Sequence, residues 1–205
     1  MPTRRRPHAL PREPRQRLIA AALALAAEKG WRRIAMSDIA AAAEVPLAEA
    51  YRLFRSKFAL LLAFRRDIDE AVLAGGVPSA NDPVHDRLFE VLMRRFEALK
   101  AHRPALRAIL RDSLGTPAPI KALPGLLRSM SWMLAAAGIP NAGCRGRLAS
   151  KLLAALYFSV FPAFFRDESP DLGITMSLLD RRLRQAEALF TSLGPGLSGL
   201  RKSRV

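Results

Sequence analysis

The chain has 205 residues, half of them hydrophobic and a quarter charged, with a net charge of +15 and a single cysteine, Cys144. That balance predicts a soluble globular fold, either one generous domain or a small unit joined to a medium one. A lone cysteine excludes an intrachain disulfide and fits a reducing cytosol, and so large a cation excess favours polyanions, either nucleic acid or an anionic membrane surface.

Met1 to Arg17 holds six arginines against Glu13. No apolar run follows these arginines, so the segment is not a secretory signal. Pro2, Pro7, Pro11 and Pro14 argue against an amphipathic helix, and residues 1–14 are read as a disordered basic arm. Residues 1–17 carry +5 and the last five residues +3, which leaves +7 on the body. Strand signals are weak and helix signals dense, so the expected fold is all-α. Arg15 to Lys29 is rich in Ala and Leu and stops at Gly30. Ser37 opens a short helix through Ala43 as its N-cap. A second short helix runs from Leu47 to Leu53, and Ser56 caps a longer one through about Leu73. Ala74 to Asp86 is dense in Gly, Pro, Ser, Asn and Asp and marks the best boundary between two parts.

The second part is also helical. Arg87 to Ala101 places Leu88, Val91, Leu92, Phe96 and Leu99 on one face, interrupted by Arg95. Pro104 starts the next helix, which ends before Gly115. Thr116 to Gly125 breaks the chain again. Leu126 to Ala137 forms a helix stopped by Gly138, and Arg145 to Arg166 is the most apolar one. Its apolar run, Leu152 to Phe165, is 14 residues or about 21 Å of helix, too short to span a bilayer. Pro162 predicts a kink there. Asp171 to Leu193 is the last helix. Leu172, Met176, Leu179, Leu183 and Phe190 lie on its heptad seam, which is either core or a dimer interface. The domains read 15–74, 86–193 and a flexible basic tail over 194–205.

Two resemblances follow. Ile39-Ala40, Val45, Tyr51, Phe54, Ser56-Lys57 and Leu60-Leu61 give residues 16–64 a pattern that resembles the helix-turn-helix of the TetR family of repressors. The resemblance implies a three-helix reading head in which Tyr51 and Lys57 touch phosphates. Glu44 stands where that family's turn usually has glycine, and a residue other than glycine there requires positive φ at about 1 kcal/mol. Leu47 offers a base edge only apolar contact, Glu49 would repel a phosphate or accept from a cytosine amine, and Arg52 and Arg55 offset it. The bland alternative is that Leu18, Leu25, Ile34, Ile39, Val45, Tyr51 and Phe54 form a small core.

In the second part, Asp86–Leu106, Leu126–Ile139 and Arg166–Glu187 together resemble the C-terminal domain of the lipid-binding, TetR-like accessory proteins of ubiquinone biosynthesis. That implies a hydrophobic pocket for an isoprenoid or quinone precursor, and a partner hydroxylase at the membrane. Candidate pocket walls are Leu92, Met93, Phe96, Met130, Trp132, Met133, Leu152, Leu156, Tyr157, Phe161, Phe164 and Phe165. A helix without a polar face is buried or lines an apolar cavity, and ordinary core explains the same residues.

No catalytic or metal-binding constellation is visible. His8, His85 and His102 are scattered, and Cys144 has no ligand-spaced partner, so no cofactor, metal or enzymatic activity is expected. His102-Arg103 reads as a helix end. Asp167, Glu168 and Asp171 read as a helix start near Ser169. The sequence favours a lipid-binding accessory protein of TetR-like fold: a homodimer in the cytoplasm with peripheral contact to anionic membrane. The alternative is a TetR-family DNA-binding regulator that responds to a hydrophobic ligand, with Leu47, Glu49, Tyr51, Arg52 and Lys57 at the DNA.

Overall fold

The computed structural model describes residues 13–192. Among them it holds nine α-helices, one 3-10 turn and no strand. The basic tail and all but the end of the basic arm lie outside the described residues. Two compact units divide the described residues: those up to Phe64 with Pro104–Ala118, and Arg65–Arg103 with those from Pro119 onward.

In the first unit, α1 (Pro14–Lys29) opens on a proline, where the missing N–H is no loss. Leu18, Ile19, Ala22, Leu23, Leu25 and Ala26 form its buried face. Gly30, at φ +86°, ends it and returns its N–H to the Ala26 carbonyl. A 3-10 turn, Trp31–Arg33, leads to α2 (Met36–Ala42). This helix starts one residue before Ser37, and Asp38 secures it by accepting the Ala35 N–H at 2.7 Å. α3 (Leu47–Leu53) has the predicted bounds. The three helices pack on one another, with Leu18, Ile39 and Ala50 wholly buried.

α4 (Lys57–Ala74) starts where the Ser56 hydroxyl accepts the Ala59 N–H at 3.2 Å, the N-cap expected of that serine. The units divide inside this helix, between Phe64 and Arg65. The Gly- and Pro-rich stretch over 74–86 is therefore a connection within the second unit, leading to α5 (Val84–Lys100). α6 (Arg103–Ser113) belongs to the first unit from Pro104 onward. Arg32 fixes its C-terminal end: the Nε donates to the Asp112 carbonyl at 2.7 Å and Nη2 to the Leu114 carbonyl at 3.2 Å.

In the second unit, α7 (Ala118–Ala136) overturns the break expected over Thr116–Gly125. The Thr116 hydroxyl accepts the Ala118 N–H at 3.2 Å and opens the helix, and Pro119 falls in its tolerant first turn. Pro124 lies in the interior and costs one backbone hydrogen bond without ending the helix. α8 (Gly143–Arg166) is 24 residues long, and by length and composition it could cross a membrane. That corrects the judgement drawn from its 14-residue apolar core, because flanking residues extend the helix. Its face of Gly146, Ser150, Leu153, Ala154, Tyr157, Val160 and Phe164 is nevertheless spent inside the unit.

α9 (Gly173–Ser192) packs on α8 and α5. Leu172, Leu179 and Leu183 are buried inside the protomer, so this part of the heptad seam is core and not a surface for a second copy. Met176 is exposed, and the Phe190 side chain is outside the described ones.

Candidate nucleic-acid interface and ligand unit

The turn between α2 and α3 is built from backbone hydrogen bonds. Glu44 donates to the Ala41 carbonyl at 3.1 Å and Val45 to the Ala40 carbonyl at 3.0 Å. This pair is the Schellman motif, which requires the first of the two donors to be left-handed. Glu44 takes that conformation at φ +53°, so the strain anticipated for a residue other than glycine is present. Arg17 braces the turn from α1, its guanidinium donating to the Glu44 carbonyl at 3.4 Å.

Pro46 then starts α3, accepting the N–H groups of Glu49 and Ala50 at 2.9 Å. Glu49 occupies the first turn, where a carboxylate is favoured by the positive end of the helix. That gives it a structural reason to be there besides any contact with a base. Ala50 faces inward, while Leu47, Ala48, Tyr51, Arg52 and Leu53 face solvent. Tyr51 is 62% exposed and does not belong to the small core, whereas Leu18, Leu25, Ile34, Ile39, Val45 and Phe54 do. Leu47, Ala48 and Tyr51 join Met36, Phe54 and Arg55 around an open apolar cleft. Such a surface offers contacts to thymine methyl groups, while Arg52 and Arg55 supply charge for phosphates or guanine.

Lys57 is placed differently from the expectation. Its ammonium donates to the carbonyls of Trp31 (2.8 Å) and Ile34 (2.6 Å) and stands 4.9 Å from the Trp31 ring centre. Burial lowers its pKa, against the opposing pull of Asp112 and Asp38. Two of its three donors are used inside the unit, which makes Lys57 a strut of the Trp31–Ile34 loop.

In the second unit the predicted pocket walls separate into three groups. Leu92, Met93, Phe96, Met130, Met133, Tyr157 and Phe164 are buried. Leu156, Phe161 and Phe165 are half-buried. Trp132 (53% exposed) and Leu152 (42%) lie on the surface with Leu148 and Phe158, a correction that follows from which face of α7 and α8 turns inward. Phe96 lies tilted against Tyr157 (centroids 4.8 Å) and Phe164 (5.1 Å), and Phe161 meets Tyr157 edge-on at 5.0 Å.

Beside these rings lies a polar cluster. Arg95 is buried, pairs with Asp69, and holds its guanidinium 5.6 Å from the Tyr157 ring centre. The Ser129 hydroxyl donates to the other Asp69 oxygen at 2.5 Å. Arg95 was visible in the sequence as the one basic residue on an apolar face. Asp69, a helix away, carried no comparable signal.

Asp167 is buried and serves the start of α9, as the sequence led one to expect of the acids near Ser169. It accepts the Ser169 hydroxyl, the Thr175 hydroxyl and N–H, both at 2.7 Å, and the Ser169 N–H at 3.2 Å. Burial raises its pKa, but these hydrogen bonds outweigh burial and bring it to about 2. Ser169 meanwhile accepts the Gly173 N–H at 2.9 Å, as a residue near the cap should. Arg103 opens α6 instead of closing α5, and donates to the Asp167 carbonyl.

With this geometry in place, residues 18–64 match the family model of bacterial regulatory proteins, tetR family. A TetR transcriptional regulator from Nitrosomonas europaea is similar over 85% of this chain and 98% of its own, with 27% identity and a TM-score of 0.69. Another, from Rhodococcus sp. RHA1, covers 84% and 94% at 26% identity and a TM-score of 0.62. The multidrug binding protein EbrR, solved with imidazole, covers 84% and 96% at 25% identity and a TM-score of 0.51. No curated protein sequence matches the chain. The fold is TetR-like, an N-terminal helix-turn-helix followed by a helical C-terminal region.

Proposed function

We propose that the protein is a DNA-binding transcriptional regulator whose second unit takes a small hydrophobic ligand. The observation that supports this best is the coincidence of the tetR match over residues 18–64 with an α3 that turns Leu47, Ala48, Tyr51 and Arg52 outward. α3 enters the major groove, Arg52 and Arg55 hold phosphates or bases, and Leu47 and Ala48 sort bases by apolar contact. The apolar surface of Trp132, Leu148, Leu152 and Phe158 is covered by a second copy of the chain, because two reading heads are needed for two half-sites. The likeness to a multidrug binding protein supports ligand control. The quinone-accessory reading rests on three stretches of sequence alone, and the comparisons favour the regulator.

The test is binding of the purified protein to DNA from upstream of its own gene and to random duplex, at one fixed salt concentration. A specific regulator prefers its site by roughly a thousandfold or more. Equal affinity for both duplexes would overturn the reading, since a basic protein binds any DNA through phosphates.

A further inference from the structure

The polar cluster of the second unit has more positive charge and more donors than its own residues can use. Arg95 and Arg65 converge on one carboxylate, Asp69, and Arg66 and Arg128 repel Arg65 from nearby. Arg95 is 4% exposed and Tyr157 2%. The Nε of Arg95 and the Nε and Nη1 of Arg65 have no acceptor, and the Tyr157 hydroxyl, whose oxygen meets the Arg95 guanidinium, has none for its proton. Burial keeps the phenol neutral by raising its pKa, against the pull of Arg95, so its oxygen retains a proton to donate. Buried donors without acceptors carry their full desolvation penalty, and repelling guanidiniums add to it. An anion among them would relieve both.

The surroundings specify the rest of such a ligand. Tyr157 belongs at once to this cluster and to the aromatic group of Phe96, Phe161 and Phe164. A head bound at the guanidiniums therefore continues directly onto apolar rings. α7 lies against the cluster through Ser129, and a Cβ at Gly125 would collide with the Arg65 guanidinium. Pro124 removes a backbone hydrogen bond from this same stretch, so it is the easiest part of the cover to open.

We infer that Arg95, Arg65 and Tyr157 form the head-group site for an anionic amphiphile, a carboxylate or a phosphate monoester on an apolar chain. The inference rests on the regulator reading and names the class of its effector. A neutral quinone precursor would leave these donors unused.

The test is calorimetric titration of the full chain with four compounds of equal tail length: decanoate, decyl phosphate, decanol and decyltrimethylammonium. At least one anion should bind tenfold or more tighter than decanol, and the cation weakest. The relative affinity of the two anions tells which head is preferred. Tyr157→Phe removes a hydroxyl whose proton has no acceptor and keeps the ring, so the variant should still fold yet bind the preferred anion several-fold more weakly. Arg65→Gln should weaken it further. Equal binding of anion and alcohol, no binding of either anion, or full affinity in both variants would overturn the proposal. Binding of unliganded protein to its upstream DNA, measured on the same preparation, reports on the regulator reading separately.

Discussion

The two units handle polar groups in opposite ways. In the first, Arg52 and Arg55 stand in solvent, and the exceptional feature is backbone strain at one turn residue, Glu44. In the second, the exceptional features are buried: Arg95, Ser129, Ser150, Asp167 and Thr175, the buried polar residues among those described, all fall there. A surface that reads phosphates works in water, where charges are cheap to maintain. A unit that takes the ligand proposed above has to keep polar groups out of water, and each then demands a partner. The contrast predicts that mutations of charged residues will cost stability in the second unit and affinity in the first.

The largest effect should come from Arg95→Ala, which leaves the half-buried Asp69 beside Ser129 without its counter-ion. Breaking a buried pair from one side costs about 3–5 kcal/mol. At this chain length that is a fall in Tm of roughly 10 °C, measured by calorimetry. A loss below about 1 kcal/mol would mean that water reaches the cluster, and the contrast between the units would weaken.

Next is Asp167. Its folded pKa of about 2 lies below the ordinary 3.8, so its contribution is complete above the ordinary value and is lost as pH falls toward 2. The shift corresponds to about 2 kcal/mol. The hydrogen bonds of Asp167 to Ser169 and Thr175 flank Leu172, a non-glycine residue held at φ +57°. Urea unfolding between pH 6 and pH 2 should show the parent losing more stability than Asp167→Asn, with the two curves converging at the acid end. Parallel curves would remove Asp167 from the account of acid sensitivity.

In the first unit, Arg52→Ala and Tyr51→Ala should leave Tm within about 1 °C, since both side chains are exposed, and weaken specific DNA binding about tenfold each. If Arg52 meets only a phosphate, random duplex should weaken equally and the salt slope fall by about one ion. Lys57→Met should behave in the opposite sense, lowering stability before affinity, because its ammonium holds two carbonyls of its own unit.

Much of this contrast was legible in advance, for identifiable reasons. Helix periodicity and caps act within a few residues, so α3 and the Ser56 cap were read correctly from sequence. Proline misled at α7, because Pro119 falls in a first turn and Pro124 is tolerated by a helix held elsewhere. The heptad seam of α9 showed which residues share a face, and spacing could not show that α5 and α8 already occupy it. The exposed positions of the reading head followed from the motif. The Arg95–Asp69 pair and the Asp167 network join residues on different helices or loops, and one sequence does not record such meetings.

The smallest expected effect gives the sharpest comparison. Glu44→Gly relieves a left-handed residue, which costs about 1–2 kcal/mol for a side chain bearing a Cβ, and gives back part of that through the freer unfolded chain. A net gain of roughly 0.5–1 kcal/mol should appear in urea unfolding whatever the protein does. The same substitution also removes one negative charge from the turn that leads into α3. If the turn lies at the DNA backbone, affinity for the upstream duplex rises at low salt and the advantage fades as salt increases. If stability rises and affinity does not change, the turn points away from the phosphates, and Glu44 is strain accepted for packing alone. A gain in affinity without a gain in stability would instead show that the Schellman geometry costs this sequence nothing, contrary to the φ of +53°.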